Sequence, residues 1–341
     1  MNANQKKRRA KKRALTIVVI VVAILAAYVG FWFISTPVFY GDFAKNSIKY
    51  GAIPDLLIDG FTPQGMTAIE DSDVYMICGY MPGKNNSRIY RYDADGKPTK
   101  ILLEYEDGSV YSGHAGGFTA SGEYVYISNA SKIFVLKTSD VLAAKDGDTV
   151  KFIGRFEVPC RASFCSSDGE KLYVGDYHAD GYETAADHVI ETSDGTHAAI
   201  VFGYKLSDTG EFGVADTKTP AVAYSVCDYV QGFAMIPGGL AVLSCSHGLS
   251  PSELKSYSVS GDADDVFNCD GVNIPLYLLD KNRANTVVKL PHMSEDIECR
   301  NLTLYIAFES AARKYGAGLL PFSTFNVIKY SIVNLNKWSK T

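Results

Sequence analysis

The segment GGFTASGEYVYISN, residues 116–129, indicates the fold class, because its pattern recurs along the chain. Alternating apolar and polar residues flank the turn residues Ser121 and Gly122, as in two antiparallel strands joined by a tight turn. The same pattern recurs in QGMTAIEDSDVYMICGY from residue 64, ASFCSSDGEKLYVGDY from 162, QGFAMIPGGLAVLSCS from 231 and EDIECRNLTLYIAFES from 295. Recurrence at long, fairly regular intervals indicates a repeat protein.

The spacing of the five copies predicts the architecture. Their starts lie between 46 and 69 residues apart, and a four-stranded propeller blade needs about 40–50 residues. Further strand-like stretches follow most copies. The last copy lacks a fourth strand, which Tyr50–Gly60 could supply by pairing the two ends of the domain. We therefore predict an all-β fold, a single five-bladed β-propeller over 48–341. Six blades also fit if the segment between Leu254 and Leu290 hides one.

The N-terminus predicts a membrane anchor. Residues 1–13 contain seven basic residues and no acid, and Ala14–Ile34 carries no charge. As a helix these 21 residues would span about 31 Å, the thickness of the hydrocarbon core. We predict a basic cytoplasmic tail over 1–13, a transmembrane helix over 14–35 in contact with the lipid bilayer, and a stalk over 36–47. The basic flank favours an extracytoplasmic propeller, and cleavage as a signal peptide near Ala26 and Ala27 is the alternative.

The net charge of the chain limits the classes of molecule that it is expected to bind. The chain has 33 basic and 38 acidic residues. Without the seven basic residues of the tail, 26 basic residues remain against 38 acidic ones, a net charge of −12. Because phosphate backbones repel an acidic domain, the composition argues against nucleic acid.

Seven cysteines lie in the predicted outer domain, where disulfides can form. No CxxC spacing occurs, which disfavours zinc. Cys160 and Cys165 are close enough in sequence to bridge. Cys78 and Cys245 fall inside apolar strands, where buried thiols are expected.

Three motifs carry a resemblance to known proteins: HAGGFT from residue 114, QGFAMI with the later LSCSHG from 231, and EDI with the later LYIAFESAARKY from 295. They resemble a group of bacterial membrane-anchored surface proteins that have propeller domains and no established activity. In the wider sense the chain is similar to NHL-type and lactonase-type propellers. The resemblance covers roughly residues 50–335 and implies the fold. The lactonase-type likeness also implies a calcium ion held by carboxylate and amide oxygens in the channel.

Polar residues at the ends of the two strands of each copy are expected to converge at one mouth of the channel. The ligand-binding candidates are Gln64, His114, Arg161, Gln231, His247, Glu295, Glu309 and Arg313. Such positions are also polar simply where water fills a channel. Loops on a rigid scaffold suit recognition, and Tyr177, Tyr182, Tyr229 and Tyr315 would offer flat surfaces to a glycan, a peptide or a surface protein.

Residues near the same mouth could also be considered for metal binding or for catalysis. Calcium prefers oxygen ligands, and Glu295, Asp176 and Asn129 are the candidates. The insertion His178–His197 contains three histidines, but its spacing matches no zinc template, so a solvated surface loop is expected. Ser244, Ser246 and His247 form no predicted triad, because adjacent strand residues point to opposite faces.

These observations favour a membrane-anchored, cell-surface propeller that recognises a ligand or partner without catalysis. No cofactor is required by this reading. The alternative is a calcium-dependent lactonase-like or esterase-like hydrolase that uses Glu295 in the channel. In the last copy, Ser310 is expected to cap a short helix that ends at Tyr315.

Overall fold

The computed structural model describes residues 3–69, 72, 74–93, 96–332 and 335. Three α-helices occur there: α1 (Ala3–Phe39), α2 (Gly41–Lys45) and α3 (Thr138–Ala143). The first strands are β1 (Ser47–Ala52), β2 (Thr62–Ala68), β3 (Tyr75–Tyr80), β4 (Arg88–Tyr92), β5 (Pro98–Glu104), β6 (Gly117–Ser121), β7 (Tyr124–Asn129), β8 (Lys132–Lys137), β9 (Thr149–Lys151), β10 (Gly154–Glu157), β11 (Phe164–Ser167) and β12 (Lys171–Gly175).

The remaining strands are β13 (Ile190–Thr192), β14 (Gly195–His197), β15 (Ala199–Lys205), β16 (Val222–Val226), β17 (Val230–Ile236), β18 (Leu240–Cys245), β19 (Ser252–Ser258), β20 (Asp265–Cys269), β21 (Val272–Leu278), β22 (Ala284–Leu290), β23 (Ser294–Arg300), β24 (Thr303–Phe308) and β25 (Asn326–Ser331). Three single 3₁₀ turns occur at Ala186–His188, Glu211–Gly213 and Arg313–Tyr315.

These strands form five antiparallel blades, which confirms the predicted propeller. Blade 1 is β2 to β5, blade 2 is β6, β7, β8 and β10, and blade 3 is β11, β12, β15 and β16. Blade 4 is β17, β18, β19 and β22, and blade 5 is β23, β24, β25 and β1. In every blade the predicted hairpin supplies the two strands nearest the axis.

The ring closes through the N-terminal strand. β1 pairs antiparallel with β25, with Ser47 opposite Tyr330 and Ala52 opposite Asn326. The closing strand therefore begins and ends earlier than the predicted stretch Tyr50–Gly60, whose second half forms a turn. Pairing the two ends of the domain removes an exposed strand edge.

The long insertion in blade 4 hides no sixth blade. Its strands β20 and β21 form a hairpin, and β21 pairs in parallel with β16 at the outer edge of blade 3. β9 similarly adds to the edge of blade 1, parallel to β5. The apolar stretch from Val150 to Val158 is therefore divided between two blades, because Phe152 and Ile153 lie between β9 and β10.

The hydrophobic core is divided into five clusters, one between each pair of neighbouring blades. Alternating side chains on a radial sheet face the blade before and the blade after, so each blade contributes to two clusters. Fully buried examples are Phe118, Phe164, Phe233 and Phe308. Burying each large apolar side chain contributes about 1.5–3 kcal/mol to folding.

The N-terminal helix α1 includes one segment, Gln5–Trp32, that is long and apolar enough to cross a membrane. Its C-terminal part packs against residues 316–325, which we call the blade 5 loop. The ring of Phe31 lies 6.1 Å from that of Phe322, and Trp32 lies 6.1 Å from Phe325. The segment expected as a stalk holds the end of α1 and all of α2. Its residue Phe43 is buried in the cluster between blades 4 and 5.

Candidate functional site

Close contact of the inner strands shapes the axis of the propeller. A Cβ atom added to Gly65 would lie 2.6 Å from the Phe118 nitrogen, and one on Gly117 would lie 2.0 Å from the Cys165 nitrogen. One on Gly232 would lie 2.8 Å from the Ile297 nitrogen. Real Cβ atoms do not approach backbone this closely, so the recurring glycine of the repeat is required by packing. The inner strands therefore meet backbone to backbone.

Blade 5 departs from this pattern and supplies the charges of the axis. Where the other copies have glycine or serine, it has Asp296, which is buried. The Asp296 carboxylate accepts hydrogen bonds from the backbone nitrogens of Met66 (3.4 Å), Phe118 (3.3 Å) and Ile297 (3.0 Å). One side chain thus joins blades 1, 2 and 5. Burial raises the pKa of Asp296 well above its usual value.

Further along the same strand, Glu298 and Arg300 continue the charged column. Glu298 accepts a hydrogen bond from the Thr67 hydroxyl (3.0 Å) and pairs with Arg300 at 2.5 Å. Burial raises the pKa of Glu298 to about 7, although Arg300 opposes that rise. Arg300 also donates to the backbone oxygens of Ala120 and Ser167. Side chains of β23 therefore fill the axis between the two faces.

At one end of this column lies a pocket of about 550 Å³, which we call the mouth pocket. Seven of the eight residues proposed from the sequence as ligand-binding candidates line it: Gln64, His114, Arg161, Gln231, His247, Glu295 and Glu309. They come from all five blades or the loops that enter them, so distant parts of the chain meet here. Whether they bind a ligand remains a prediction.

The eighth candidate, Arg313, does not line the mouth pocket. Its backbone nitrogen donates to the oxygen of Leu56, and its guanidinium donates to the oxygen of Ile58 at 3.1 Å. Arg313 therefore fastens the turn after β1. The next residue, Lys314, takes its expected place at the pocket. No sequence signal indicates this exchange, because a one-residue shift along a short 3₁₀ turn redirects the side chain.

Two carboxyl groups form the floor of the mouth pocket. Glu295 and Glu309 are both buried and hydrogen-bond to each other, and Glu309 also accepts from the Gln64 amide at 3.0 Å. Burial raises the pKa of Glu295 well above its usual value, and the neighbouring Glu309 raises it further. Burial likewise raises the pKa of Glu309. Two adjacent carboxyl groups repel each other when both are ionised, so the pair keeps one proton.

An aromatic and cationic wall stands on the blade 5 side. The Lys314 ammonium donates to the Tyr80 hydroxyl at 2.5 Å and lies 4.8 Å from the centre of the Tyr315 ring. The Tyr80 ring stacks on His114, with centroids 4.7 Å apart. Burial, together with the Lys314 charge, lowers the pKa of His114 to about 4. His114 is therefore neutral at physiological pH and can both donate and accept a hydrogen bond.

The opposite wall is built from blades 3 and 4. The Tyr177 hydroxyl lies 3.2 Å from Nδ1 of His247, and the Tyr229 ring lies 4.5 Å from the His247 ring. Tyr182 packs edge-on against Tyr177 and lies under the Arg161 guanidinium at 5.8 Å. The four tyrosines that the sequence suggested for recognition are all at this mouth: Tyr177, Tyr182 and Tyr315 line it, and Tyr229 supports His247.

The three predicted calcium ligands are not brought together. Glu295 and Asn129 line the mouth pocket, but Asp176 does not. The buried Asp176 carboxylate pairs with His188 at 2.6 Å and accepts from the Arg161 nitrogen at 2.7 Å. Within the described part of the chain, no group of three or more His, Cys, Asp or Glu residues could hold a metal ion.

Most of the insertion that contains three histidines is exposed, as expected for a surface loop, but its histidines are held against the protein. His188 and His197 are buried, His197 contacts the Ser225 hydroxyl, and His178 pairs with Asp228 at 2.8 Å. The sequence could not show this, because Asp176, Ser225 and Asp228, which these histidines contact, lie outside the insertion. The three histidines anchor the insertion to blade 3 rather than bind one ion.

The seryl groups near the pocket do not form a catalytic triad, as expected. The Ser244 hydroxyl bonds to Ser294 at 2.8 Å, and the Ser246 hydroxyl accepts from Ser252 at 3.1 Å. Ser310 was wrongly expected to cap a helix. Its hydroxyl instead accepts a hydrogen bond from the backbone nitrogen of Thr324 at 2.9 Å, which ties down the blade 5 loop.

Comparison with known proteins finds distant structural likenesses and no sequence family. No protein-family model and no curated protein matches this chain. Hydrazine synthase from Kuenenia stuttgartiensis is similar in structure, with a TM-score of 0.37, 13% identity and coverage of 76% of this chain, which spans only 59% of that chain. The PQQ-bound aldose sugar dehydrogenase from Streptomyces coelicolor gives a TM-score of 0.43, 12% identity, and coverage of 84% and 98%.

BamB from Moraxella catarrhalis gives a TM-score of 0.35 and 9% identity, again with coverage of 84% of this chain and 98% of the other. Because no family model matches, the likeness to lactonase-type and NHL-type propellers is structural. The solved structures that this chain resembles are β-propeller proteins, and the likeness is one of fold.

Proposed function

We propose that this protein is a membrane-anchored propeller that recognises a ligand in the mouth pocket without catalysing a reaction on it. The observation that carries the proposal is the convergence of polar side chains from all five blades on one pocket. Concave sites with a few placed polar groups are the usual form of ligand sites.

The chemistry of the pocket favours a neutral, hydroxyl-rich ligand, the class to which glycans belong. The floor offers the amides of Gln64 and Gln231 and a carboxyl pair that holds a proton, so donors and acceptors alternate there. The tyrosine rings offer flat, amphipathic surfaces to the apolar face of such a ligand. The cationic groups of Lys314 and Arg161 already lie against tyrosine rings of the pocket.

The contacts of the N-terminal helix support an anchored receptor whose pocket opens beside the membrane. Residues 316–325, which pack against α1, directly follow the pocket residues Lys314 and Tyr315. The basic tail before α1 supports a cytoplasmic N-terminus. We infer that the propeller lies outside the cytoplasm, at the cell surface.

A calcium-dependent hydrolase is the second candidate, and the carboxyl pair favours it. Deprotonated, Glu295 and Glu309 could share a cation, which would then polarise a bound carbonyl group. Their direct contact argues against an acid–base pair that flanks a scissile glycosidic bond, since such carboxyls stand about 5 Å or more apart.

The test is a thermal-shift panel on the full-length chain in nanodiscs. Neutral oligosaccharides, phosphorylated oligosaccharides and peptides of similar size are compared. A ligand at one hundred times its dissociation constant stabilises the folded state by about 2.7 kcal/mol. We expect stabilisation by a neutral oligosaccharide, lost in Gln231→Leu and kept in Tyr277→Ala, whose tyrosine lies on the β20–β21 hairpin outside the pocket. Stabilisation only by calcium would support the hydrolase instead.

A further inference from the structure

Two thiols meet directly behind the wall of the mouth pocket. Cys227 lies in the connection between β16 and β17, and Cys245 is the last residue of β18. Their sulfur atoms are 3.7 Å apart, against about 2.05 Å in a disulfide. Because Cys227 lies outside the strands, a small rotation there could close that gap.

Other cysteines have different surroundings. The thiols of Cys78, Cys160 and Cys165 each point to a backbone oxygen, on Ala115, Val174 and Tyr126 respectively. The bridge between Cys160 and Cys165 that their sequence spacing allowed is not formed: both residues lie in the cluster between blades 2 and 3, but their thiols point to different backbone oxygens.

A lysine makes the two thiols unequal. The Lys255 ammonium on β19 lies 3.6 Å from the sulfur of Cys227. The hydrogen bond from Cys245 and the charge of Lys255 lower the pKa of Cys227 to about 7. The same hydrogen bond and burial raise the pKa of Cys245 well above its usual value. A thiolate beside a cation, with a protonated thiol in contact, is the arrangement of reactive thiol pairs.

The two thiols also differ in exposure to solvent, and Cys227 is the more exposed. Cys227 is half-buried and can be reached from solvent, whereas Cys245 is buried. The neighbours of both belong to the pocket wall: Ser246 and His247 follow Cys245, and Tyr229, which follows Cys227 closely, stacks on His247. A bond between the two sulfurs would therefore join the two segments that hold His247 in place.

From this geometry we propose that Cys227 and Cys245 form a thiol–disulfide exchange site, with Cys227 as the attacking thiol and Cys245 as the resolving thiol. The oxidant is a molecule that carries a disulfide. The Cys227 thiolate attacks one sulfur of that disulfide and releases the other as a thiolate, which takes up a proton. Cys245 then loses its proton and attacks Cys227, and the second thiol leaves. Two electrons and two protons pass to the oxidant.

The test treats the reduced full-length chain in detergent with oxidised glutathione and maps the products by mass spectrometry. We expect loss of about two mass units, one for each proton given up, and a cross-linked pair of peptides that contain Cys227 and Cys245. Absence of that cross-linked pair from fully folded, oxidised protein would overturn the proposal.

Variants assign the two roles. Cys245→Ser should keep glutathione on Cys227 as a stable mixed disulfide, and Cys227→Ser should take up none at Cys245. Cys299→Ser is the matched control, because Cys299 is also half-buried and, among the described residues, is a free thiol on β23 of blade 5; it should oxidise like the parent. Glutathione on Cys245 in Cys227→Ser, or none on Cys227 in Cys245→Ser, would contradict the assignment.

The lysine has its own readout, which needs no disulfide. Iodoacetamide should alkylate Cys227 with a midpoint near pH 7, in line with the pKa of about 7. In Lys255→Met the midpoint should move upward, and the rate at pH 7 should fall about fivefold for a shift of one pH unit, because the thiolate is the reacting form. A midpoint that stays in place would show that Lys255 does not activate the thiol.

Discussion

At the scale of single residues, the buried carboxyl pair makes stability depend on pH. The unfolded chain ionises Glu295 near its usual pKa, whereas the folded chain keeps the proton to a higher pH because the group is buried beside Glu309. The folded state therefore binds more protons in that interval, and the free energy of unfolding falls as pH rises. Each unit by which the pKa is raised corresponds to about 1.4 kcal/mol.

Glu295→Gln should flatten this dependence. The amide keeps a donor and an acceptor for Glu309 but has no proton to lose, so the variant should lose less stability than the parent between pH 5 and pH 8. Urea unfolding at both pH values measures the change. Glu170→Gln is the control, since the Glu170 side chain is 84% exposed. A slope identical to that of the parent would show that Glu295 is not held protonated.

Asp296→Asn should destabilise the propeller at neutral pH. All three hydrogen bonds to the Asp296 carboxylate come from backbone nitrogens. An amide group turns one donor of its own toward those donors, so at least one buried backbone N–H loses its acceptor, at about 1–3 kcal/mol. Chemical denaturation of Asp296→Asn and of the exposed control Asp208→Asn gives the comparison. Equal stability of the two variants would contradict a role for Asp296 in joining the blades.

At the scale of elements, the close contact between the inner strands requires a very small residue at the recurring glycine position. Gly117→Ala puts a Cβ 2.0 Å from the Cys165 nitrogen, so blades 2 and 3 must separate. Overpacking of this kind costs about 1–3 kcal/mol or more. Gly41→Ala is the matched control, because nothing lies within 4 Å of its added Cβ and its φ angle is ordinary. The melting temperature should fall in the first variant and not in the second; equal melting temperatures would refute the close packing.

Some structural elements could be predicted from the sequence and others could not. The hairpin copies follow from period-two alternation and tight turns, which act locally, so five blades could be predicted. The attachment of β20 and β21 to blade 3 could not, because parallel pairing with β16 depends on what lies nearby in space. The same holds for His188 and Asp176, which are twelve residues apart and meet only when the insertion folds back.

The candidate site was predictable in outline for a related reason. Equivalent positions of a repeat converge at one mouth of the channel, so Gln64, Gln231 and Glu295 could be placed together from their alignment alone. Lys314 was not, since the direction of a side chain on a 3₁₀ turn follows from the turn's docking onto Leu56 and Ile58. Asp176 was expected at the pocket but does not line it, because its carboxylate pairs with a buried histidine.

At the scale of the whole molecule, the N-terminal helix α1 and the mouth pocket lie on the same side of the propeller. Leu319, on the blade 5 loop beside α1, is 73% exposed, and its backbone oxygen accepts a hydrogen bond from Tyr28 of α1. Leu302, in the turn between β23 and β24 at the opposite face, is 61% exposed. If α1 spans the bilayer, the first leucine should meet lipid and the second should meet water.

Labelling with a fluorophore can test this orientation. Leu319→Cys and Leu302→Cys are labelled with bimane on the full-length chain in nanodiscs that contain spin-labelled lipid. Quenching should be strong at residue 319 and weak at residue 302. Leu25→Cys, in the apolar part of α1, reports insertion itself. Equal quenching at residues 319 and 302 would place the pocket away from the membrane, and no quenching at residue 25 would remove the anchor.

Recognition without catalysis in the mouth pocket is tested most directly by calorimetric titration of the full-length chain with the stabilising oligosaccharide, in calcium and in EDTA. We predict one saturable binding event with the same dissociation constant in both buffers. Tyr177→Ala should weaken it, and the oligosaccharide should be recovered chemically unchanged by mass spectrometry. Binding that requires calcium, or an oligosaccharide recovered in cleaved form, would contradict recognition and support the hydrolase.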